Sequence, residues 1–253
     1  MLTDPWFYLV AIPAVALFGL TKGGFAGASL PAMPLLALMV PPFMAAAIVL
    51  PVLLVQDAVT VYAFRRDYDG QMLKLMLPGA LIGSLIGSLT AAWISPEQVR
   101  FGVGVLAFVF CMNAWFGPGA NNPVALPHDP IRARFWGGVS GFTSFIIHAG
   151  GAPFSIYALP RRLSKEAMAG TSAIFFALVN LMKVPAYLGL GQLTWETLKL
   201  SAVLLPAAIV ANMGGIWLVR RVSLGLFYKI LYGLLFVLSL KLIFDGLRGF
   251  LSM

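Results

Sequence analysis

The sequence predicts an all-α integral membrane protein made of two inverted repeats, each a re-entrant broken-helix hairpin plus three transmembrane helices. Three observations predict it. Hydrophobic residues make up 60% of the chain and charged ones only 10%, with a mean hydropathy of +0.91, a composition whose solvent is lipid. Apolar runs of about 20 residues recur, the length a helix rising about 1.5 Å per residue needs to cross a hydrocarbon core of about 30 Å. A glycine-rich break at residues 19–34, GLTKGGFAGASLPAMP, returns at residues 141–153, as paired broken helices do in the two halves of duplicated transporters. No strand-like alternation competes, which argues against a β-barrel.

The first broken element covers residues 6–39, with arms at 6–19 and 25–39 around the tip Thr21-Lys22-Gly23-Gly24. Each arm would be about 21 Å long as a helix, short of the hydrocarbon core and suited to a re-entrant hairpin. Spans at 44–64, 72–93 and 99–116 follow. The linker GPGANNPVALPHD then leads to the second broken element at 135–159, with its tip at Ile147-His148-Ala149-Gly150-Gly151. Spans at 167–188, 194–218 and 226–247 complete the chain. The expected layout is an N-terminal repeat at 1–116, a linker at 117–133 and a C-terminal repeat at 134–253, together one transport domain.

Sliding the chain on itself supports the duplication. A shift of 122 pairs Gly19 with Gly141, Thr21 with Thr143 and Pro31 with Pro153; a shift of 123 pairs Val61 with Val184, Ala63 with Ala186 and Phe64 with Tyr187. A shift of 128 pairs Leu77, Pro78, Ala80, Gly87 and Ser95 with Leu205, Pro206, Ala208, Gly215 and Ser223. The shift changes only in predicted loops, where insertions are tolerated.

Charge counting separates the hairpin from a kinked crossing helix. If each broken element returns to its starting side, Arg65, Arg66, Lys74, Arg132, Arg134, Arg161, Arg162, Lys165, Arg220, Arg221 and Lys229 share one face against Arg100, Lys199, Lys241 and Arg248. That division is eleven to four, whereas crossing elements would divide the same residues eight to seven. The positive-inside rule selects the hairpin, puts both termini outside the cytoplasm and makes the repeats inverted. The N-terminus MLTDPWFYLV lacks a basic leader and cleavage site, and reads as mature protein. A single cysteine, Cys111, excludes disulfide scaffolds and cysteine-based metal sites. The +8 formal charge lies in short loops and carries no nucleic-acid signal.

Inverted hairpins would bring their tips toward the bilayer midplane, where the second arms start with unpaired backbone N–H groups and the positive ends of their dipoles. Gly23, Gly24, Gly150 and Gly151 would let an oxyanion approach the backbone. Lys22 is the sharpest candidate, because a cation near the midplane costs at least about 2.5 kcal/mol and needs a compensating role; its alternative is snorkelling to water. His148 is a titrating ligand or a hydrogen-bonded structural histidine. Asp57 aligns with Asn180 and lies deep in its span, as a proton carrier or as the counter-ion of Lys22 or Lys183. Asn180 and Lys183 share a helix face and would line one cavity, although Lys183 is near enough to the span end to snorkel. The glycines at 79, 83 and 87 form small-xxx-small patterns that read as helix-packing seams.

These residues resemble the TauE/SafE sulfite-exporter-like permeases over nearly the whole chain. The resemblance rests on the two breaks, GLTKGGFAGASLPAMPLL and GFTSFIIHAGGAPF, on DAVTVYAFRRD and NLMKVPAYLGLGQLT, and on the LPGALIG and LPAAIVANMGG blocks. It implies movement of sulfite, a sulfonate such as sulfoacetate, or another small organosulfur anion across a bacterial inner membrane. The reading is a secondary transporter working by alternating access around a midplane site between the tips, without a cofactor. Expected partners are the anion, protons, the bilayer and a second copy of the chain. A passive anion channel and a carrier for a non-sulfur anion are the alternatives. An intramembrane enzyme would need a nucleophile and base or a metal cluster; two histidines, one cysteine and no HExxH or GxSxG pattern do not supply them.

Overall fold

The computed structural model describes residues 5–25, 32–37, 39–40, 42–90, 93, 96–116, 125–147, 150–189, 191 and 193–251. Among these residues the chain is helical and forms no strand. The order is α1 (Pro5–Lys22), α2 (Ala32–Ala37), α3 (Pro42–Ala63), α4 (Gly70–Thr90), α5 (Pro96–Phe116), α6 (Pro130–Ile147), α7 (Gly151–Ala158) with a 3-10 turn at Leu159–Arg161, α8 (Lys165–Gly189), α9 (Trp195–Arg221) and α10 (Leu224–Leu251). Each half of the sequence is thus a broken element and three long helices. Among the described residues, six helices are long and apolar enough to cross a membrane: α1, α3, α4, α8, α9 and α10. Among the same residues, Arg100–Phe116 of α5 is a shorter apolar stretch.

The broken elements differ from expectation in their proportions. The first arm was expected at 6–19, but α1 runs on through Thr21 and Lys22, both compatible with helix, to a length of about 27 Å. It stops at a glycine cap. Gly24 takes φ +126°, its N–H donates to the Thr21 carbonyl, and the Phe25 N–H donates to that of Leu20, the bonding of a Schellman motif. Of the second arm, expected at 25–39, the described helix is α2, from Ala32 to Ala37; residues 26–31 lie outside the described residues.

The helices group into two compact units, and each unit takes helices from both halves of the sequence. The first comprises Met1–Tyr68 and Lys165–Ser223, hence α1, α2, α3, α8 and α9. Its core is built from Phe7, Ala11, Val15 and Phe18 of α1, Ala32 and Leu36 of α2, Ile48 and Val52 of α3, and Leu200, Leu204 and Ala208 of α9. Gly19 lies against Ala208 and Gly23 against Gly215, so α1 and α9 run parallel. Ser201 donates to the Ile48 carbonyl, Gln56 to that of Ala208, and Arg220 to that of Ala63, so α3 is parallel to α9 as well. Helices α1 and α3 therefore run in the same direction, which requires the chain between them to return to the side where α1 began.

The second unit comprises Asp69–Ser164 and Leu224–Met253, hence α4, α5, α6, α7 and α10. Here α7 folds back along α6. Ser140 donates to the Gly150 carbonyl at 2.7 Å, while the Tyr157 hydroxyl reaches the Asp129 carbonyl and Arg161 that of Pro127, at the start of α6. The seam between α4 and α6 is made of glycines: a Cβ at Gly79 or Gly83 would collide with the Arg134 or Gly138 carbonyl, and one at Gly141 with that of Ala80. Between helices in lipid, small residues of this kind allow the close backbone approach that holds them together.

Candidate functional site

In the first unit, four of the residues singled out from sequence come together. Lys22 occupies the last turn of α1, where the negative end of the helix dipole favours a cation. Its ammonium lies 2.6 Å from the Asp57 carboxylate of α3 and 5.4 Å from the centre of the Phe176 ring of α8, within cation–π range. Asp57 is 1% exposed. A charge so placed requires a partner and hydrogen bonds, and Asn180 of α8 supplies the second one, donating from Nδ2 to the other carboxylate oxygen at 2.7 Å. Lys183, one helical turn beyond Asn180, is wholly buried and stands within electrostatic range of both Lys22 and Asp57.

Two alternatives weighed from sequence are thereby corrected. Lys22 does not snorkel freely to water, since its side chain is 10% exposed and paired. Lys183 does not snorkel either. With every group ionised, the cluster holds two ammonium groups against one carboxylate, an excess of one positive charge.

The glycines of the first tip work differently from the expectation. Gly23 is needed because its Cα faces Gly215: an added Cβ would sit 2.6 Å from the Gly215 Cα. The Gly23 and Gly24 N–H groups donate to the Gly19 and Thr21 carbonyls. They close α1 and are therefore not the unpaired amides expected at this tip. Their effect on the site is to end α1 so that Lys22 is its last helical residue.

Gly150 and Gly151 lie in the second unit. The Gly150 carbonyl accepts from Ser140 and from the Phe154 N–H, and Gly151 opens α7 with nothing within 4 Å of the place a Cβ would take. His148 lies outside the described residues.

One polar layer escaped the sequence reading. Next to Asp57, the Gln56 amide donates to the Val15 carbonyl at 3.3 Å and the Ala208 carbonyl at 3.1 Å. Thr60 and Asn212 bond each other at 2.9 Å, and Asn212 also donates to the Gln56 carbonyl. All three side chains are fully buried, tying α1, α3 and α9 together beside the charged cluster. Their signal was available as polar residues inside apolar runs, which in a membrane are costly and placed for a reason. The Gln56 Oε1 accepts no hydrogen bond among the described residues.

A family model described as sulfite exporter TauE/SafE matches residues 11–242. No curated protein and no solved structure matches the chain. The matched segment contains the whole Lys22, Asp57, Asn180 and Lys183 cluster and nearly all of both units, and the chain belongs to the sulfite exporter TauE/SafE family.

Proposed function

We propose that this protein is a secondary transporter of a small sulfur oxyanion or organosulfur anion, such as sulfite or a sulfonate like sulfoacetate, across the inner membrane. The buried cluster of Lys22, Lys183, Asn180 and Asp57 carries this reading: its two lysines and its amide donor, set among apolar helices, suit a compact anion. Family membership supports the sulfur class. Transport proceeds by alternating access. Gly150, Gly151 and His148 are substrate contacts from the second hairpin in the same reading, and Asp57 is the proton carrier. The parallel course of α1 and α3 and the folding of α7 onto α6 support re-entrant hairpins, with both termini outside the cytoplasm. Pairing of two copies belongs to the same expectation, and light scattering in detergent reads it.

Direction follows from energetics. With the cytoplasm negative, each anionic charge expelled gains about 2.3 kcal/mol per 100 mV, so export needs no coupling ion, whereas uptake must be offset by a cation. The deciding experiment is a thermal-shift and flux screen of purified protein against sulfite, thiosulfate, sulfoacetate, isethionate, taurine and their nitrogen and carboxylate analogues. Sulfur anions are expected to stabilise the protein, by about 2.7 kcal/mol at a hundred times Kd, and Lys22→Ala to remove most of that shift. Saturable flux separates a carrier from a channel. If no anion stabilises the folded protein or crosses with it, the reading fails.

A further inference from the structure

Asp57 is held as a transported oxyanion would be held. One carboxylate oxygen faces the Lys22 ammonium at 2.6 Å, the other accepts the Asn180 amide at 2.7 Å, and Lys183 of α8 is buried within electrostatic range. A carboxylate is itself a small planar oxyanion. The donors that the transport reading requires for its substrate are thus already filled by a side chain of the protein.

We infer that Asp57 is a built-in competitor for the transported anion: ionised, it occupies Lys22 and Asn180, and an anion binds there only when Asp57 has taken up a proton, so one proton enters with each anion. The inference rests on the cluster being the anion site. The shared donors carry it. While Asp57 is ionised its two oxygens hold the Lys22 ammonium and the Asn180 amide, and an anion brought to the same donors would stand beside that carboxylate, where like charges repel strongly. Once Asp57 is protonated the monoanion takes the place of its charge, and the net charge of the cluster is the same before and after binding. The protonated carboxyl loses nothing in hydrogen bonding, since it retains an acceptor and gains a donor for the incoming oxyanion.

Besides Asp57, one buried group on the surrounding helices can take up a proton when an anion binds, Lys183 of α8 if its amine is neutral beforehand; α1 brings the paired Lys22, α8 also the neutral Asn180, and α2 carries no titratable residue. On α9 the charged residues stand at the two ends, Glu196 and Lys199 at one and Arg220 and Arg221 at the other, with neutral Asn212 between them.

The test uses isethionate, a sulfonate whose charge does not change between pH 6 and 9, with the purified full chain in a buffer free of sulfonates. Wild-type Kd is expected to rise about tenfold per pH unit on the alkaline side, the slope of a single linked proton, and binding in weak buffer to draw about one proton per anion from solution. Asp57→Asn keeps the shape and the neutral state, so it is expected to bind isethionate at least tenfold more tightly at pH 8 and with little pH dependence. A flat wild-type pH profile, or an Asp57→Asn protein that binds no more tightly while Lys22→Ala still weakens binding, would overturn the competitor role and leave the anion site standing. If neither wild type nor Asp57→Asn binds isethionate, thiosulfate or sulfite, the anion site itself is refuted. Lys183→Met separates the two proton sites: one proton per anion taken up by this variant upholds the inference and none overturns it, a readout that also stands should Asp57→Asn fail to fold.

Discussion

The Lys22–Asp57 pair invites a double-mutant cycle. Lys22→Met keeps most of the side-chain length and removes the charge, leaving a carboxylate that is 1% exposed. Breaking a buried pair by removing one partner costs about 3–5 kcal/mol, much of it the uncompensated charge left behind. Here the loss is expected at the lower end, about 3 kcal/mol, because Asn180 still donates to Asp57 and Lys183 still acts on it. For a chain of this size that is a fall in Tm of about 6–12 °C. Asp57→Asn alone should do less, since Lys22 keeps the dipole of α1 and the Phe176 ring. The double variant has no buried unpaired charge, so its loss should be smaller than the sum of the two by about 1–3 kcal/mol. Thermal unfolding of the four proteins in one detergent measures it. Additivity within about 0.5 kcal/mol would refute the direct pair, and with it the placement of the cluster.

Three further outcomes follow from the packing, the charge pattern and the buried carboxylate. In α5, Gly104→Ala places a Cβ 2.7 Å from the Ile243 backbone nitrogen of α10 and should cost about 1–3 kcal/mol, whereas Gly102→Ala, with nothing within 4 Å, should be neutral or stabilise by up to about 1 kcal/mol; equal melting temperatures would contradict the α5–α10 seam. Cysteines introduced at Thr3 and Ser252 should react with an impermeant thiol reagent from outside intact cells while ones at Arg66 and Arg162 do not, with native Cys111 silent because it is buried; opposite labelling of the two termini would end the hairpin topology. If the protein imports its anion, Asp57→Asn in proteoliposomes should abolish accumulation driven by a pH gradient yet keep substrate exchange; should both Asp57→Asn and His148→Gln remain gradient-driven, the coupling site lies elsewhere.

Much of the fold was legible because lipid permits few solutions: an apolar run of about 20 residues is a helix, and its ends fall where charges and prolines begin. The four charged or amide residues of the cluster were legible for the same reason, since a polar group inside such a run stands out. The purpose of each glycine was not. Gly23, Gly24 and Gly83 carry one signature in sequence, yet Gly23 and Gly83 serve close helix contacts and Gly24 supplies a positive φ at a cap. Which carbonyl faces a missing Cβ depends on the neighbouring helix, and the sequence does not contain it. The length of α1 was missed because Thr21 and Lys22 are neutral toward helix until the cap beyond them is known. Gln56 and Asn212 stand out inside apolar runs as Asn180 does, but the carbonyls they tie down lie on neighbouring helices, and the sequence does not name them.

The contacts also bear on how a duplicated chain acquires a charged site. Under the proposed duplication Gly19 and Ala208 correspond to Gly141 and Ala80, and both pairs touch; Gly23 and Gly215 correspond to Phe145 and Gly87, and these pairs touch as well. Residues 57 and 180 correspond to each other, and they too are in direct contact, 2.7 Å apart, where α3 and α8 pack antiparallel. A symmetric pair there would be two carboxylates or two amides: two buried carboxylates repel, and two amides give no charge to hold a lysine. Asp57 facing Asn180 resolves the conflict, with one charge, one donor to satisfy it, and Lys22 answering from α1 where the second half has Ser144. Restoring symmetry should therefore be costly: Asn180→Asp sets a second carboxylate against the first and should require a proton to be shared between them, seen as a stability that falls with rising pH in the variant and not in the wild type. A stability profile unchanged from wild type between pH 5 and 9 would mean that the second carboxylate finds its own cation, with Lys183 the nearest candidate, and that the asymmetry of the pair is not imposed by charge.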